Sequence, residues 1–275
     1  DEIRDKALKF IDKAKADGKP FFLWLNPTRM HIVTHLSPKY EALRNSENGW
    51  TEHEAGMAQM DDDIGLVMAK LKAMGEDDNT IVMFTTDNGT ENFSWPDGGQ
   101  TPFYAGKGTS YEGGFRAPAM IRWSGHVPAG SIGNGIISGM DWFPTFLTAA
   151  GAPNIKQELL QGKTLNGVNY KVHLDGYDQT AMITGKGPST RHEIWYFAES
   201  SLNAVRLDDY KFVLKEQPGG WIGDTVTPGA PPIFNLRLDP FERTGWYEAN
   251  RGSLSYPEWY KYQFWRFVQV QDAVK

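Results

Sequence analysis

Residues 80–95, "TIVMFTTDNGTENFSW", decide how the chain is read. A β-branched and apolar run stops abruptly at Asp87-Asn88-Gly89. Asn-Gly alone is a strong turn signal. The residues that follow do not form a returning hairpin strand, so the run either turns there or ends by presenting an acid and an amide. Upstream, "FFLWLN" at 21–26 is a short apolar run between turn signals and is expected to be a buried strand. Between the two, Thr51 and Glu54 in "TEHE" make a capping box. Behind it Met57, Met60, Ile64, Met68, Leu71 and Met74 form one helical stripe. Strand, long helix, strand is a βαβ unit and implies a parallel sheet. Ligands bind such sheets outside the carboxyl ends of the strands. Asp87 and Asn88 end one strand, and His31 lies a few residues beyond its neighbour. Carboxylate and amide oxygens suit Ca²⁺ or Mg²⁺.

Working outward, residues 2–16 are a charged amphipathic helix, and "AMIRW" (119–123) is a further strand. "DWFPTFLTAAG" is a helix with Asp141 at its start and Gly151 at its end. The acids of "MDDDIG" (60–65) read as a solvated helix face. Beyond residue 188, alternating strands, "HEIWYFAE", "LNAVRLDDYKFVLKE" and "PIFNLRLDPFE", precede an aromatic helix. The expected architecture is α/β, a mostly parallel sheet flanked by helices, with a small C-terminal antiparallel sheet plus helix. Two regions follow: a core over 1–188 and an α+β subdomain over 189–275.

Composition narrows the function. With 40% hydrophobic and 23% charged residues in 275, the chain reads as globular. A net charge of −6 without a basic block argues against nucleic-acid binding. No apolar run reaches the ~18 residues of a membrane span. The absence of cysteine excludes disulfides, thiolate nucleophiles and zinc–thiolate sites.

The segment 87–118 is rich in glycine and proline, and a loop this long in a compact domain is usually functional. In "AGKGTSYEGGFRAP" (105–118), Lys107 stands between two glycines, where backbone approaches a ligand closely. Its ammonium suits a sulfate or phosphate oxygen. Arg116 either does likewise or holds Glu112. The solvated-lysine reading stays open for Lys107. His35 shares a loop with His31. Loops 90–104 and 216–232 are placed to set specificity.

Taken together, "NPTRMHIVTH", "TIVMFTTDNG", "GKGTSYEGGFRAPAMIRWSG", "GMDWFPTFLTAAGAP" and "FNLRLDPFE" resemble type I, formylglycine-dependent sulfatases of the alkaline phosphatase superfamily. The resemblance implies an alkaline phosphatase-like fold that hydrolyses an aryl or carbohydrate sulfate ester. It matches Asp87 and Asn88 to calcium ligands, and His31 and Lys107 to the catalytic pair on the sulfate group and ester oxygen. Arg116 and His35 fall on the substrate side. The family's Cys or Ser followed by x-Pro-x-Arg, source of the formylglycine nucleophile, has no counterpart here. Nor do the paired aspartates that complete the Ca²⁺ site. Both are expected upstream of residue 1, making the chain an inactive C-terminal portion whose partners are that segment and a sulfate ester or glycan. A periplasmic or secreted setting is implied, with the cytoplasm as alternative. Two other functions stand beside this one: a phosphodiesterase or phosphonate monoester hydrolase of the same superfamily, and a non-catalytic carbohydrate-binding module suggested by ten tryptophans.

Overall fold

The computed structural model describes residues 2–31, 34–91, 99–245 and 255–275. The chain divides into two compact units, one of residues 1–82 and 90–101, the other of 83–89 and 102–275.

In the first unit α1 (Glu2–Ala16) buries Ala7, Ile11 and Ala14. It packs against the long helix α3 (Glu52–Ala73), as does the short α2 (Pro38–Glu41). The capping box forms as expected: the Thr51 N–H donates to the Glu54 carboxylate at 2.8 Å, and the Thr51 hydroxyl accepts from the first turn. The stripe of α3 buries Met60 and Leu71, while Met57 faces out. "DDD" is not a uniformly solvated face. Asp63 is buried and ion-paired with Arg4 at 2.8 Å, because it shares the inward side of α3 with Met60. Its neighbour Asp62 takes Lys39 and the Tyr40 hydroxyl, each at 2.7 Å.

The expected buried strand at 21–26 is not found: the run lies outside every sheet of the described residues. Phe22 and Trp24 are 70% and 78% exposed. A strand exists only through its ladder, and apolar composition alone cannot supply a partner.

β1 (Val82–Thr85), of the second unit from Met83 on, neighbours β2 (Ala119–Arg122), both only partly buried. The Thr85 hydroxyl donates to the Pro118 carbonyl at 3.0 Å, so the end of β1 lies beside the start of β2. Between them in sequence runs the single-turn α4 (Glu112–Phe115). Then come α5 (Trp142–Ala149), α6 (Ile155–Gln161), the hairpin β3 (Lys163–Leu165) and β4 (Val168–Tyr170), and α7 (Thr180–Ile183). That hairpin turns on Asn166-Gly167, both with positive φ, and the sequence reading passed it over.

The C-terminal antiparallel sheet forms as expected. Its order is β5 (Glu193–Ala198), β6 (Ser201–Leu207), β7 (Tyr210–Val213), β8 (Ile233–Asn235). Val205, Phe212 and Ile233 pack with Tyr256, Tyr260 and Val270 of the last two helices, α8 (Tyr256–Gln263) and α9 (Arg266–Val274). Alternate residues Ala204, Val213 and Phe234 make a second cluster with Tyr196. The sheet is therefore covered on both faces, which a period of two allows only when each face has its own cover. Among the described residues no helix is long and apolar enough to cross a membrane.

Candidate active site

Glycines join the two stretches that the sequence singled out. The Gly89 N–H donates to the Gly114 carbonyl at 2.9 Å. A Cβ on Gly89 would meet the Gly113 carbonyl oxygen at 1.8 Å. Gly113 in turn lies on the carbonyls of Tyr104 and Ala105, and Gly114 on those of Gly106 and Thr109. "DNG" and "GKGTSYEGG" thus form one backbone-to-backbone assembly that tolerates no side chain at these three positions.

Lys107 stands at the tip of a turn. Thr109 closes it onto the Gly106 carbonyl, its N–H at 3.2 Å and its hydroxyl at 2.7 Å. Gly108, at φ +81°, takes the left-handed position that such turns reserve for glycine. The half-buried Lys107 puts its ammonium 5.8 Å from the Trp221 ring.

Asp87 is exposed, and Asn88 is half-buried with its amide donating to the Gly89 carbonyl at 2.8 Å. That bond occupies the amide nitrogen and leaves Oδ1 as the acceptor. The pair fits a hard cation by donor type, and supplies a minority of the roughly 6–8 oxygens that Ca²⁺ takes. Among the described residues no three His, Cys, Asp or Glu side chains gather as a metal centre. Arg116 holds Glu112 at 3.2 Å and lies over the Phe103 ring at 4.5 Å. His31 and His35 belong to the first unit, on the loop before α2. There the Thr34 hydroxyl donates to the His31 carbonyl at 2.7 Å, and Arg29 donates to the His35 carbonyl at 2.6 Å.

Beneath the Lys107 turn is a charge network that sequence reasoning missed. Lys211, on β7, has no exposed side-chain surface, and its ammonium lies 3.2 Å from Glu112 and 2.7 Å from Glu242. The Tyr196 hydroxyl donates to Glu112 at 2.7 Å, and the Glu112 N–H donates to the Glu242 carboxylate at 2.6 Å. Burial works to raise Glu112. The Lys211 ammonium, the Tyr196 hydroxyl and the nearby guanidiniums outweigh it and hold Glu112 below the usual carboxylate range. Burial, with Glu112 close by, pushes Glu242 up.

Burial first, and then the Glu112 charge, push the Tyr196 phenol well above its usual value of 10. The folded protein therefore keeps a proton that the unfolded chain releases near pH 10, and stability falls as pH rises past about 10. Urea unfolding across that range should show the decline, and Tyr196→Phe should flatten it. An equal slope in both proteins would refute this.

A second missed pair braces the helical part of this unit. Arg191 holds Asp141 through Nε at 2.9 Å and a terminal nitrogen at 2.7 Å, with both side chains buried. A separate cleft of about 360 Å³ on the C-terminal sheet is lined by His192, Asp208, Tyr210 and Arg266. Its groups are already engaged: His192 with Asp208 at 2.7 Å, and Arg266 over the Tyr210 ring at 3.6 Å.

Known proteins resemble this chain in sequence and in fold. The Sulfatase family model matches residues 1–152. The chain is 31% identical over 260 residues to N-acetylgalactosamine-6-sulfatase of Mus musculus, covering 86% of this chain and 46% of that protein. Arylsulfatase G of Canis lupus familiaris is 29% identical over 274 residues, at 92% and 47% coverage. Among solved structures, the PsFucS1 sulfatase from Pseudoalteromonas sp. superposes with a TM-score of 0.78 at 31% identity, over 98% of this chain and 51% of that one. Ps i-CgsB in complex with k-i-k-neocarrahexaose gives 0.66 at 27% identity, covering 88% and 49%. The chain spans about half the length of these relatives. Residues 1–152 carry the matching model as well as the glycine-joined DNG and GK…EGG stretches, and the chain belongs to the sulfatase family.

Proposed function

We propose that this chain is part of an enzyme that hydrolyses a sulfate ester of an aryl compound or a carbohydrate. The observation that carries the reading is the glycine-built assembly that couples Asp87 and Asn88 to the turn bearing Lys107. The names of the similar proteins, N-acetylgalactosamine-6-sulfatase among them, favour a carbohydrate ester. Lys107 gives its ammonium to a sulfate oxygen and steadies charge that develops on the ester oxygen, and the family resemblance gives His31 the role of proton donor. The same resemblance gives Arg116 and His35 to the remainder of the substrate. Asp87 and Asn88 contribute oxygens to a Ca²⁺ ion, which when bound neutralises the sulfate oxygens. The formylglycine nucleophile is assigned outside residues 1–275, where the rest of the Ca²⁺ ligands also belong.

A point charge aimed at a developing oxyanion is worth about 10²–10³ in rate. In the full reading frame, Lys107→Ala should lower kcat/KM for 4-nitrophenyl sulfate by that factor, and the 275-residue chain alone should show no multiple turnover. An unchanged kcat/KM would sink the assignment of Lys107. A full-length protein inert to sulfates that turns over phosphate diesters or phosphonates would favour the phosphodiesterase alternative.

A further inference from the structure

We propose that Gln217 is the positioning residue of Lys107: its side-chain amide holds the main chain of the Lys107 turn and so sets where the ammonium points. The inference rests on the Lys107 reading above and extends it to the residue that makes the lysine a fixed charge. Lys107 stands between Gly106 and Gly108, the residue type that restrains a backbone least, so the local sequence does not settle the direction of the lysine. Thr109 closes the turn onto the Gly106 carbonyl, but that bond is internal and cannot orient the turn against the rest of the protein. Gly114 supports its two ends, lying on the carbonyls of Gly106 and Thr109. Gln217 takes the main-chain groups of the residues that follow the lysine.

The buried Gln217 side chain donates from Nε2 to the Gly108 carbonyl at 3.0 Å and accepts on Oε1 from the Ser110 N–H at 3.2 Å. Asn203, on β6, donates to the same Oε1 at 3.4 Å. Two N–H donors thus face Oε1 and a carbonyl faces Nε2, and only one orientation of the amide satisfies all three groups. Gln217 is itself held in place. Its N–H donates to the Tyr111 hydroxyl at 3.2 Å, and Glu216 and Val226 close its loop with reciprocal backbone bonds at 2.7 and 2.8 Å. The loop is also seated on the turn, because a Cβ on Gly108 would fall 2.0 Å from the Trp221 indole.

The clamp comes from 107 positions further along the chain and grips backbone, not the ammonium. Gln217 therefore acts through Lys107 and is not a catalytic residue. A charge assists a reaction only where it meets the developing charge of the transition state, and a displacement of about 1 Å costs up to about 10²-fold in rate. Removing the amide leaves the lysine and its charge in the chain and releases the turn that aims it.

Steady-state kinetics of the full-length enzyme with 4-nitrophenyl sulfate test this. Gln217→Met, close in size and without the amide, should lower kcat about ten- to hundredfold and leave KM within about threefold, because the loss falls on an interaction that strengthens in the transition state. In a Lys107→Ala background the same substitution should cost less than about twofold, since the group through which it acts is gone. Gln217→Glu keeps the size and the acceptor and, as a carboxylate, lacks the donor to Gly108. It should lose about three- to tenfold, and it carries the same comparison where Gln217→Met does not fold. Ile222→Ala, at an 84% exposed position of the same loop, should match the parent. A loss of equal factor with and without Lys107 would overturn the positioning role and leave Gln217 a structural tie. A kcat within about twofold of the parent for both Gln217 variants would overturn it as well. Parent kcat/KM in Lys107→Ala would instead overturn the reading of Lys107 on which the role rests.

Discussion

Lys211→Met is expected to lower the free energy of unfolding by about 3–5 kcal/mol, the usual consequence of removing one partner from a buried ionic group. The lysine's ammonium lies 2.7 Å from Glu242, whose side chain is fully buried. Glu112 retains Arg116, so the loss falls mainly on Glu242. Burial already favours the protonated form there, and without the lysine that carboxyl takes up a proton or draws in water. Urea denaturation at neutral pH measures the change. The double variant Lys211→Met, Glu242→Gln should recover a large part of it, because the stranded charge is gone. A single-variant loss below about 1 kcal/mol would mean that the network is hydrated and contributes as a surface pair does.

Arg191→Lys is expected to be nearly as damaging, despite the retained charge. Asp141 accepts from two nitrogens of one guanidinium and from the N–H groups of Ser138 and Tyr177, at 2.8 and 2.7 Å. The same guanidinium donates to the Asp175 carbonyl at 2.9 Å and lies over the Tyr177 ring at 4.6 Å. A planar fork satisfies all of these at once, and an ammonium on a flexible stem cannot. A loss of roughly 2–4 kcal/mol is expected for lysine and about 3–5 kcal/mol for methionine. Both are measurable by urea denaturation alongside far-UV circular dichroism. Stability of the lysine variant within about 0.5 kcal/mol of the parent would show that geometry matters less than charge here.

The periodic and capped elements were legible in the sequence. These are α1, α3 with its Thr51–Glu54 box, the strand before Asp87, and the alternating strands beyond residue 188. Each is specified by neighbours within a few positions. The glycines flanking Lys107 were legible as places of close approach to a ligand; that the glycines of "DNG" and "EGG" approach each other was not. What was not legible is long-range. Lys211 in "DYKFV" alternates with Tyr210 and Phe212, and so reads as the solvent side of a half-covered sheet. It is buried because the 104–116 segment covers that face. Asp141 and Arg191 are 50 positions apart and carry no local signature. The run at 21–26 misled because apolar composition was taken for a ladder. Part of the anticipated specificity loop 90–104 falls on residues 92–98, outside those described.

The tie between Glu112 and Glu242 spans 130 positions of chain. During synthesis the Lys107 turn emerges long before the strand and carboxylate that support it. At roughly 5–20 residues per second, the gap is on the order of ten seconds. For most of that interval Glu112 has no Lys211 and the 106–111 backbone has no Gln217 to bind, and Glu242 comes last. Lys107 therefore acquires its fixed position only when the last third of the chain has been made. A ribosome that stalls before residue 211 releases a product with every residue of the DNG and EGG stretches present and none of Lys211, Gln217 or Glu242 to hold them.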